Sequence, residues 1–494
     1  MKLLTKEDVF AKARAGELWA GNLIPGHQGD GGKLPNISPI DNKAIGDIAA
    51  GTAADVDAAV KAARQSFAAG EWSGLSPAER KAIMLRWADL MTEHVEELAA
   101  LDCVDAGKPI TECLNTDMPA TLDTFRWYAE AVDKVFGRIA PTGSDALGLI
   151  VSEPIGVVGA VLPWNFPAQM YAWKVAPALA AGNSVVVKPA ELTSLSAYRM
   201  TQLAYEAGVP EGALTLVTGL GEVTGQALGL HGDVDVVSFT GSTEVGRLFL
   251  KYSAESNLKE IVLECGGKSP QVVFEDADLD GIESHILAAA FWNMGENCSC
   301  GSRLIVHSSL KDKLLERLKQ GLSQWKVGLP TDPETQIGPL VEKAHFDKVC
   351  SFLDDAKKQG AKLAHGGRIH SELGSGWYVE PTIFDEVKST DRLFQEEVFG
   401  PILAVTTFET EEQAIALAND SAYGLAASLY TTNLRRAQRV ASAIRAGTVS
   451  VNGFSEGDIT TPFGGYKQSG FGGRDNGLEA FNQYLQLKTI WYVN

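Results

Sequence analysis

The stretch Gly156-Val157-Val158-Gly159-Ala160-Val161-Leu162-Pro163 is a continuous apolar run, and Ser184-Val185-Val186-Val187-Lys188 repeats the pattern downstream. Short runs without alternating polar residues are typical of strands that are buried on both faces of a parallel sheet. The segments 171–181 and 194–207, which follow these runs, have helical apolar spacing. Strands alternating with helices in this way predict βαβ units and an α/β fold with a parallel sheet.

The alternation continues along the chain in two series. The first series predicts further strands, at 214–217, 234–239, 260–263 and 271–274. The second series, after residue 298, predicts strands and helices in turn, at 303–307, 311–325, 346–359 and 402–406. Upstream, residues 1–50 are rich in loops, and the apolar spacing predicts helices at 53–69, 76–106 and 119–136. Residues 485–493 predict a strand with no evident local partner, which indicates pairing with another element such as a second subunit.

Composition excludes several classes of function. A chain of 494 residues can form two or three domains with large cores. Its net charge of −19 argues against nucleic acid and anionic membrane surfaces as partners. No apolar run approaches the length of a membrane span, and residues 1–8 lack the apolar core of a signal peptide. Six cysteines are too sparse for a disulfide scaffold, so we expect free thiols and a cytoplasmic protein.

A cysteine lies in the polar, glycine-containing stretch Phe291-Trp292-Asn293-Met294-Gly295-Glu296-Asn297-Cys298-Ser299-Cys300-Gly301-Ser302-Arg303. A thiolate can attack a carbonyl carbon directly. For an arbitrary cysteine, a small buried apolar role is the commoner interpretation of Cys298. The Cys-x-Cys pair has no accompanying His or Cys cluster, so we predict no metal.

Two further stretches supply chemistry that a nucleophile needs. Leu263-Glu264-Cys265-Gly266-Gly267-Lys268-Ser269-Pro270 offers a carboxylate beside two glycines, and Pro163-Trp164-Asn165-Phe166-Pro167 offers a side-chain amide. Glu264 alone could equally be a structural, salt-bridged carboxylate. Together, however, the three stretches contain a nucleophile, a base and an amide donor, which is a complete set for acyl transfer.

Three other stretches point to a dinucleotide. Phe239-Thr240-Gly241-Ser242-Thr243-Glu244-Val245-Gly246 joins a predicted strand to a helix, where backbone can approach phosphate. It differs from the usual G-x-G-x-x-G pattern, so alone it is also compatible with a plain turn. Lys188-Pro189-Ala190-Glu191 follows a strand end, and Glu396-Glu397-Val398-Phe399-Gly400-Pro401 lies in the second series.

These separated motifs, in this order, resemble the NAD(P)-dependent aldehyde dehydrogenase superfamily over essentially the whole chain. The resemblance implies the aldehyde dehydrogenase fold, with two Rossmann-like parallel-sheet domains and a small β oligomerisation element. It assigns 1–135 and 155–266 to the NAD-binding domain, 267–466 to the catalytic domain, and 136–154 with 480–494 to the oligomerisation element. A homo-oligomer, specifically a dimer of dimers, is implied as well.

The resemblance also implies the reaction. Cys298 attacks the aldehyde to give a thiohemiacetal, hydride leaves for the nicotinamide, and Glu264 activates water to hydrolyse the resulting thioester. The amide of Asn165 and the backbone N–H of Cys298 would stabilise the oxyanion. The implied NAD-binding residues are Trp164, Lys188, Glu191, Gly221, Gly241, Ser242, Gly246, Glu397 and Phe399. The carboxylate of Glu191 accepts from a ribose 2′-hydroxyl and repels a 2′-phosphate, which favours NAD over NADP.

The chain departs from the common family pattern in three places. Cys265 follows the glutamate where leucine is frequent, and Cys300 occupies a frequent alanine position. Glu296 stands where glutamine is commoner, two residues before the nucleophile. A like charge there is expected to raise the pKa of the thiol.

One stretch bears on the choice of substrate, namely Phe454-Ser455-Glu456-Gly457-Asp458-Ile459-Thr460. The resemblance places it at the aldehyde entrance together with Asp117. Carboxylates of Asp117, Glu456 and Asp458 would suit an aldehyde with a distal ammonium or guanidinium group. The motif G-D-I-T before P-F-G-G-Y-K-Q-S-G resembles the corresponding sequence of bacterial enzymes of polyamine breakdown. These enzymes oxidise γ-glutamyl-γ-aminobutyraldehyde or amino- and guanidino-butyraldehydes. Solvated loop charges are the alternative.

Other functions stay open at this level. A broad-specificity or betaine-type aldehyde dehydrogenase would share the same motifs. A coenzyme A-dependent acyltransferase would form the same thioester, but relatives of that kind generally lack the glutamate found at Glu264. A non-catalytic structural protein on the same fold would not need Cys298, Glu264 and Asn165 intact.

Overall fold

A computed structural model describes residues 3–27, 29 and 31–493. The outermost residues of the predicted domain ranges, 1–2 and 494, therefore lie outside the described residues. The helices are α1 Lys6–Ala15, α2 Ala53–Ala69, α3 Pro77–Glu93, α4 Val95–Ala106, α5 Ile110–Glu112, α6 Met118–Ala131, α7 Pro167–Ala180, α8 Leu195–Ala207, α9 Gln226–Leu230, α10 Thr243–Glu255, α11 Ile282–Phe291, α12 Lys311–Leu322, α13 Lys343–Lys358, α14 Arg392–Gln395, α15 Glu411–Asn419 and α16 Leu434–Ala443.

The strands form four sheets. They are β1 Leu18–Ala20, β2 Lys33–Ile37, β3 Ala44–Ala49, β4 Arg138–Ala140, β5 Ala146–Pro154, β6 Val157–Val161, β7 Ser184–Lys188, β8 Leu214–Leu216, β9 Val236–Gly241, β10 Glu260–Cys265, β11 Pro270–Val273, β12 Arg303–His307, β13 Lys362–His365, β14 Thr382–Asp385, β15 Ile402–Phe408, β16 Ala426–Tyr430, β17 Thr448–Val451, β18 Gly470–Phe471 and β19 Leu485–Val493.

The first large sheet has the order β18-β10-β9-β6-β7-β8, and its strands are parallel except for the edge strand β18. Val158 and Val185 pack into a core with α3, α6, α7 and α8. Val157 and Val186, one position away, pack into a second core with α2 and α10. Because successive side chains of a strand point to opposite faces, an all-apolar strand fits only between two cores. The predicted parallel sheet is confirmed.

The second large sheet has the order β13-β14-β15-β12-β11-β16-β17, with β13 antiparallel at one edge. Helices α11, α12 and α13 cover one face, and α15 and α16 cover the other. This arrangement confirms the second predicted α/β series. Strand β18 follows this sheet in sequence but returns to the first sheet, where Gly470 is paired with Glu264.

A small sheet of order β19-β5-β4 stands apart from the two large ones. The terminal strand β19 pairs antiparallel with β5 along its whole length, from Leu485 opposite Pro154 to Val493 opposite Ala146. As predicted, this strand has no partner nearby in sequence; it pairs with a distant strand of the same chain. Its outer face is apolar and exposed, because Leu487 is 67% exposed and Val493 77%.

Several predicted boundaries were wrong. The helix predicted over 76–106 is two helices, which meet at His94, whose backbone leaves the helical conformation. The His94 ring and the Arg199 guanidinium both bind the buried carboxylate of Glu97, so tertiary contacts fix this bend. The segment 1–50 is less irregular than predicted, because it contains α1 and the sheet β1-β3-β2. Helix α7 begins at Pro167, a residue suited to the first helical position, earlier than predicted.

Candidate active site

The carboxyl ends of β6, β7, β9 and β10 open onto one cavity of about 750 Å³. Ligands of open α/β sheets bind at this edge of the strands. The loop that carries Cys298 closes the cavity from the side of the second sheet. The sequence-predicted residues that line it are Trp164, Asn165, Lys188, Glu191, Gly221, Gly241, Ser242, Cys298, Glu397, Phe399 and Glu456. Four predicted residues do not line it, namely Glu264, Gly246, Asp117 and Asp458.

The loop before Cys298 turns sharply out of α11. Asn293, Met294 and Gly295 all have positive φ, at 51°, 56° and 70°. Two successive non-glycine residues in this region are costly, so surrounding contacts must hold them. The Asn293 side-chain amide donates to the carbonyls of Asn165 and Glu296, each at 3.0 Å. The turn brings Cys298 to the cavity wall, whereas Cys300 is buried behind it.

The surroundings of Cys298 favour the neutral thiol. Burial raises its pKa well above the usual value, and the carboxyl groups of Glu456, Glu397 and Glu264 raise it further. The backbone N–H of Ser299 acts in the opposite direction. Since the thiolate is a far stronger nucleophile than the thiol, these surroundings make Cys298 less reactive.

The side-chain amide of Asn165 is buried and held in place. Its Nδ2 donates to the Glu296 carbonyl at 2.9 Å. An amide nitrogen carries two donors, so a second N–H is available on the cavity side. Cys298 lines the same cavity, and an N–H fixed in this way is the kind of donor that an oxyanion requires.

Glu264 lies on β10, buried behind the cavity wall. Burial raises the pKa of its carboxyl well above the usual value, and the nearby Asp475 raises it further, while Lys174 and Arg474 oppose the shift. Lys174 and Asp475 are themselves a fully buried ion pair at 3.2 Å. A carboxyl whose pKa is raised by its surroundings is a stronger base once it has lost its proton, which suits it to activate water.

The far part of the cavity fits the adenosine side of a dinucleotide. Lys188 donates to Glu191 at 2.9 Å where β7 ends. Although burial acts in the opposite direction, Lys188 lowers the pKa of Glu191 and keeps the carboxylate ionised. Ser242 caps α10 by accepting from the Val245 N–H, and this helix N-terminus opens onto the cavity. Such a terminus favours phosphate.

Gly246 has a packing role in α10. A Cβ there would lie 3.1 Å from the Cys265 Sγ, so glycine lets the helix approach β10 closely. Gly246 thus shapes the wall from behind.

The carboxylate of Glu397 approaches the backbone between the two sheets. Its Oε1 accepts from the Gly267 N–H at 2.8 Å, and a Cβ on Gly266 would overlap this carboxylate. Glycine at position 266 is therefore required for this approach. Exposed toward the cavity, the carboxylate can accept from ribose hydroxyls.

An aromatic cluster of Trp164, Phe399 and His345 forms the adjoining wall. The rings of Trp164 and Phe399 are perpendicular, with centroids 5.2 Å apart. The His345 Nε2 donates to the Phe399 carbonyl at 2.6 Å, and burial lowers the pKa of His345 to about 4, so the ring is neutral. His345 and Lys348 both line the cavity, and sequence reasoning missed them because their apolar neighbours on α13 indicate an ordinary amphipathic helix.

The three carboxylates predicted for the substrate entrance do not form one acidic mouth. Glu456 lines the cavity, and Ser299 donates to its Oε1. Asp117 is buried in an ion pair with Lys108, which neutralises its charge. Asp458 is exposed and accepts from the Thr460 N–H at 2.8 Å, which stabilises the turn of its own loop.

The expected influence of Glu296 on the nucleophile is also corrected. Its Oε1 accepts from the Val341 N–H at 3.1 Å and lies 3.5 Å from His345, so the carboxyl is directed to the other side of the loop. The charges that raise the thiol pKa come instead from the three glutamates named above. Cys300 donates its S–H to the Ala290 carbonyl at 3.3 Å.

Comparison with known proteins identifies the family. A model of the aldehyde dehydrogenase family matches residues 27–490. The chain belongs to the aldehyde dehydrogenase family. This aldehyde dehydrogenase is an oxidoreductase, and the family and fold predicted from its motifs are confirmed.

Its relatives match along nearly the whole chain. An aminoacetaldehyde dehydrogenase of Pseudomonas aeruginosa is 53% identical over 494 residues, which are 99% of this chain and 99% of that protein. The NADP/NAD-dependent aldehyde dehydrogenase PuuC of Escherichia coli is 47% identical over 92% of this chain and 91% of its own. The solved structure of an indole-3-acetaldehyde dehydrogenase of P. syringae with NAD+ has a TM-score of 0.96 and 46% identity, covering 99% of this chain and 100% of that chain.

Within the described part of the chain, no helix is long and apolar enough to cross a membrane. Among the same residues, no group of three or more His, Cys, Asp or Glu side chains could hold a metal ion.

Proposed function

We propose that this aldehyde dehydrogenase uses NAD to oxidise an ω-amino, guanidino or γ-glutamylamino butyraldehyde of polyamine catabolism to the carboxylic acid. One observation carries the proposal: a single cavity contains the nucleophile, an amide donor, the Lys188–Glu191 pair and, beside the nucleophile, the carboxyl of Glu456. The amino-aldehyde substrate named for the P. aeruginosa relative supports the same class. A betaine-type or broad-specificity enzyme is the alternative.

The residues divide the reaction between them. Cys298, as thiolate, attacks the aldehyde carbon, and the carbonyl oxygen becomes an oxyanion bound by the free N–H of Asn165. NAD, when bound, supplies the hydride acceptor. The aromatic wall of Trp164, Phe399 and His345 excludes water from this step.

Glu264 acts in the second half of the reaction, as base for the water that hydrolyses the Cys298 thioester. Its carboxyl lies behind the cavity wall, so it must turn toward the cavity to reach this water. Hydrolysis by this base makes a free acid the product, and coenzyme A is not needed. The same base argues against an acyltransferase and against a non-catalytic protein on this fold.

The preference for NAD follows from Glu191. Lys188 keeps this carboxylate ionised, and an ionised carboxylate accepts from a 2′-hydroxyl and repels a 2′-phosphate. The E. coli relative is named for both cofactors, so the ratio of the two kcat/KM values is the quantity to measure.

We assign the roles of the chain's parts by its sheets. Residues 1–135 and 155–266, with the first large sheet, bind NAD, and 267–466 supply the nucleophile. The sheet of 136–154 and 480–494 joins subunits, because Ile139 is 73% and Leu487 67% exposed on an otherwise unpartnered apolar surface. A dimer of dimers is expected by sedimentation, and Leu487→Glu should shift the protein to a smaller species.

The cytoplasm is the proposed location, since all six cysteines are free thiols and the nucleophile must stay reduced. Cell fractionation tests this.

The proposed reaction is tested by NADH production over a panel of aldehydes without coenzyme A. The panel contains 4-aminobutyraldehyde, 4-guanidinobutyraldehyde, γ-glutamyl-γ-aminobutyraldehyde, betaine aldehyde and butyraldehyde. We expect the first three to give the highest kcat/KM. A higher value for betaine aldehyde or butyraldehyde would reject the proposed substrate class.

A further inference from the structure

The carboxyl of Glu456 is bonded to the loop that carries the nucleophile. Ser299, the residue after Cys298, donates its hydroxyl to the Glu456 Oε1. Ser299 is in turn fixed by the Asn297 Oδ1, which lies 3.0 Å from its N and 3.1 Å from its Oγ. Glu456 comes from a different segment of the chain, after β17, so this contact joins the entrance loop to the nucleophile loop.

Glu456 also differs in charge balance from Glu191 and Glu397, two other acids that line the cavity. Glu191 is paired with Lys188, and Glu397 accepts a backbone N–H and faces Lys348. Among the described residues, no Lys or Arg forms an ion pair with Glu456.

Lys108, the cation that acts to lower the pKa of Glu456, is already engaged. Lys108 is ion-paired with the buried Asp117, and its Nζ lies 3.6 Å above the Phe166 ring, on the protein side of the wall. Glu456 is therefore an acidic group that a cationic ligand in the cavity could pair with.

We infer that Glu456 couples recognition of the substrate to activation of Cys298: a cationic group of the aldehyde pairs with Glu456 and offsets the negative charge that opposes the thiolate. The inference rests on the proposed substrate class and adds a consequence to it. A cationic aldehyde would activate its own nucleophile, whereas a neutral aldehyde would meet a less reactive thiol.

Several charged groups act on Cys298 and Glu456. Glu456, Glu397 and Glu264 face Cys298, and all three raise its pKa beyond the effect of burial. For Glu456 itself, burial raises the pKa, the bond from Ser299 opposes this, and Lys108 and Asp117 act with opposite signs. A bound ammonium favours the ionised form of both Glu456 and Cys298, because an opposite charge stabilises an anion in a poorly solvated site.

The test measures the reactivity of Cys298 in the intact enzyme. The rate of alkylation by iodoacetamide is recorded against pH, alone and with n-butylammonium or the neutral, similarly sized 1-butanol. Mass spectrometry assigns the label to Cys298, since Cys350 is also partly accessible. Glu456→Gln is compared with Asp458→Asn, a matched change on the same loop outside the cavity.

With n-butylammonium we expect the thiol pKa of the wild type to fall by about one unit, which is about tenfold faster alkylation at pH values below that pKa. Butanol should have no such effect. Glu456→Gln should show the lower thiol pKa without ligand and no response to n-butylammonium. Asp458→Asn should behave like the wild type.

Three results would overturn the inference: no shift at concentrations where n-butylammonium inhibits oxidation of 4-guanidinobutyraldehyde, an equal shift in Glu456→Gln, or no inhibition at all. If Glu456→Gln fails to fold, the wild-type comparison of the ammonium with the alcohol decides alone. An enzyme that prefers cationic aldehydes yet shows no shift refutes only the coupling. An enzyme that prefers betaine aldehyde or butyraldehyde to the amino-, guanidino- and γ-glutamylamino-butyraldehydes refutes the proposed substrate class.

Discussion

Replacing Glu264 with glutamine isolates the second half of the reaction. Glutamine has the size and shape of glutamate, so the change should preserve the packing of this buried side chain on β10. Cys298 and Asn165 are unchanged and can still form the thiohemiacetal and the thioester. Water then lacks its base, and loss of a general base slows a step by about 10²- to 10⁴-fold, or about 3–5 kcal/mol in activation free energy.

The assay is stopped-flow NADH fluorescence, at an enzyme concentration high enough for one NADH per subunit to be detected. Because each chain carries one Cys298, we expect a burst of about one NADH per subunit, followed by slow turnover. The wild type should show no stall, and its steady rate should rise with pH as Glu264 loses its proton, along a limb shifted to high pH by its raised pKa. Unchanged steady turnover in Glu264→Gln would refute the assignment of Glu264 as base.

Three further variants test other parts of the site. Glu191→Gln should raise kcat/KM for NADP relative to NAD, and a wild type that prefers NADP would contradict the reasoning. Glu456→Gln should raise KM for 4-guanidinobutyraldehyde about tenfold at low salt and less at high salt, because partly exposed charges are screened. Asp458→Asn should change this KM less than about twofold, and equal effects of the two changes would count against a specific role of Glu456. Asp117→Asn leaves the buried Lys108 without its partner and should lower the free energy of unfolding by about 3 kcal/mol, measured by urea titration; an unchanged midpoint would contradict the pairing.

The parts of the fold that could be predicted are those decided by local sequence. The runs at 157–161 and 184–188 identify strands, because a strand that is buried on both faces is apolar at successive positions and does not alternate with polar residues. The break at His94 could not be predicted, since it depends on Arg199, which lies on another helix. The partner of β19 was equally hidden, because sheet register between distant segments leaves no local signal.

The candidate site, like the fold, could be predicted only in part. Motifs identified the residues that meet in the cavity, including Cys298 and Asn165. Charge alone did not reveal that Asp117 is neutralised by Lys108, or that Glu296 is directed away from the nucleophile. A carboxylate's role depends on its partner in space, and here those partners come from other segments of the chain.

The return of β18 to the first sheet bears on how the protein is made. The edge of β10, the strand that carries Glu264, stays open until residues 470–471 have been synthesised, well after the second sheet. During translation the nascent chain therefore exposes an unpaired strand edge, which is prone to wrong pairing. A fragment that ends near residue 266 would keep that edge permanently and would lose the Asp475 partner of Lys174 as well. The first large sheet is thus complete only when almost the entire polypeptide has left the ribosome, so it cannot be treated as a detachable module.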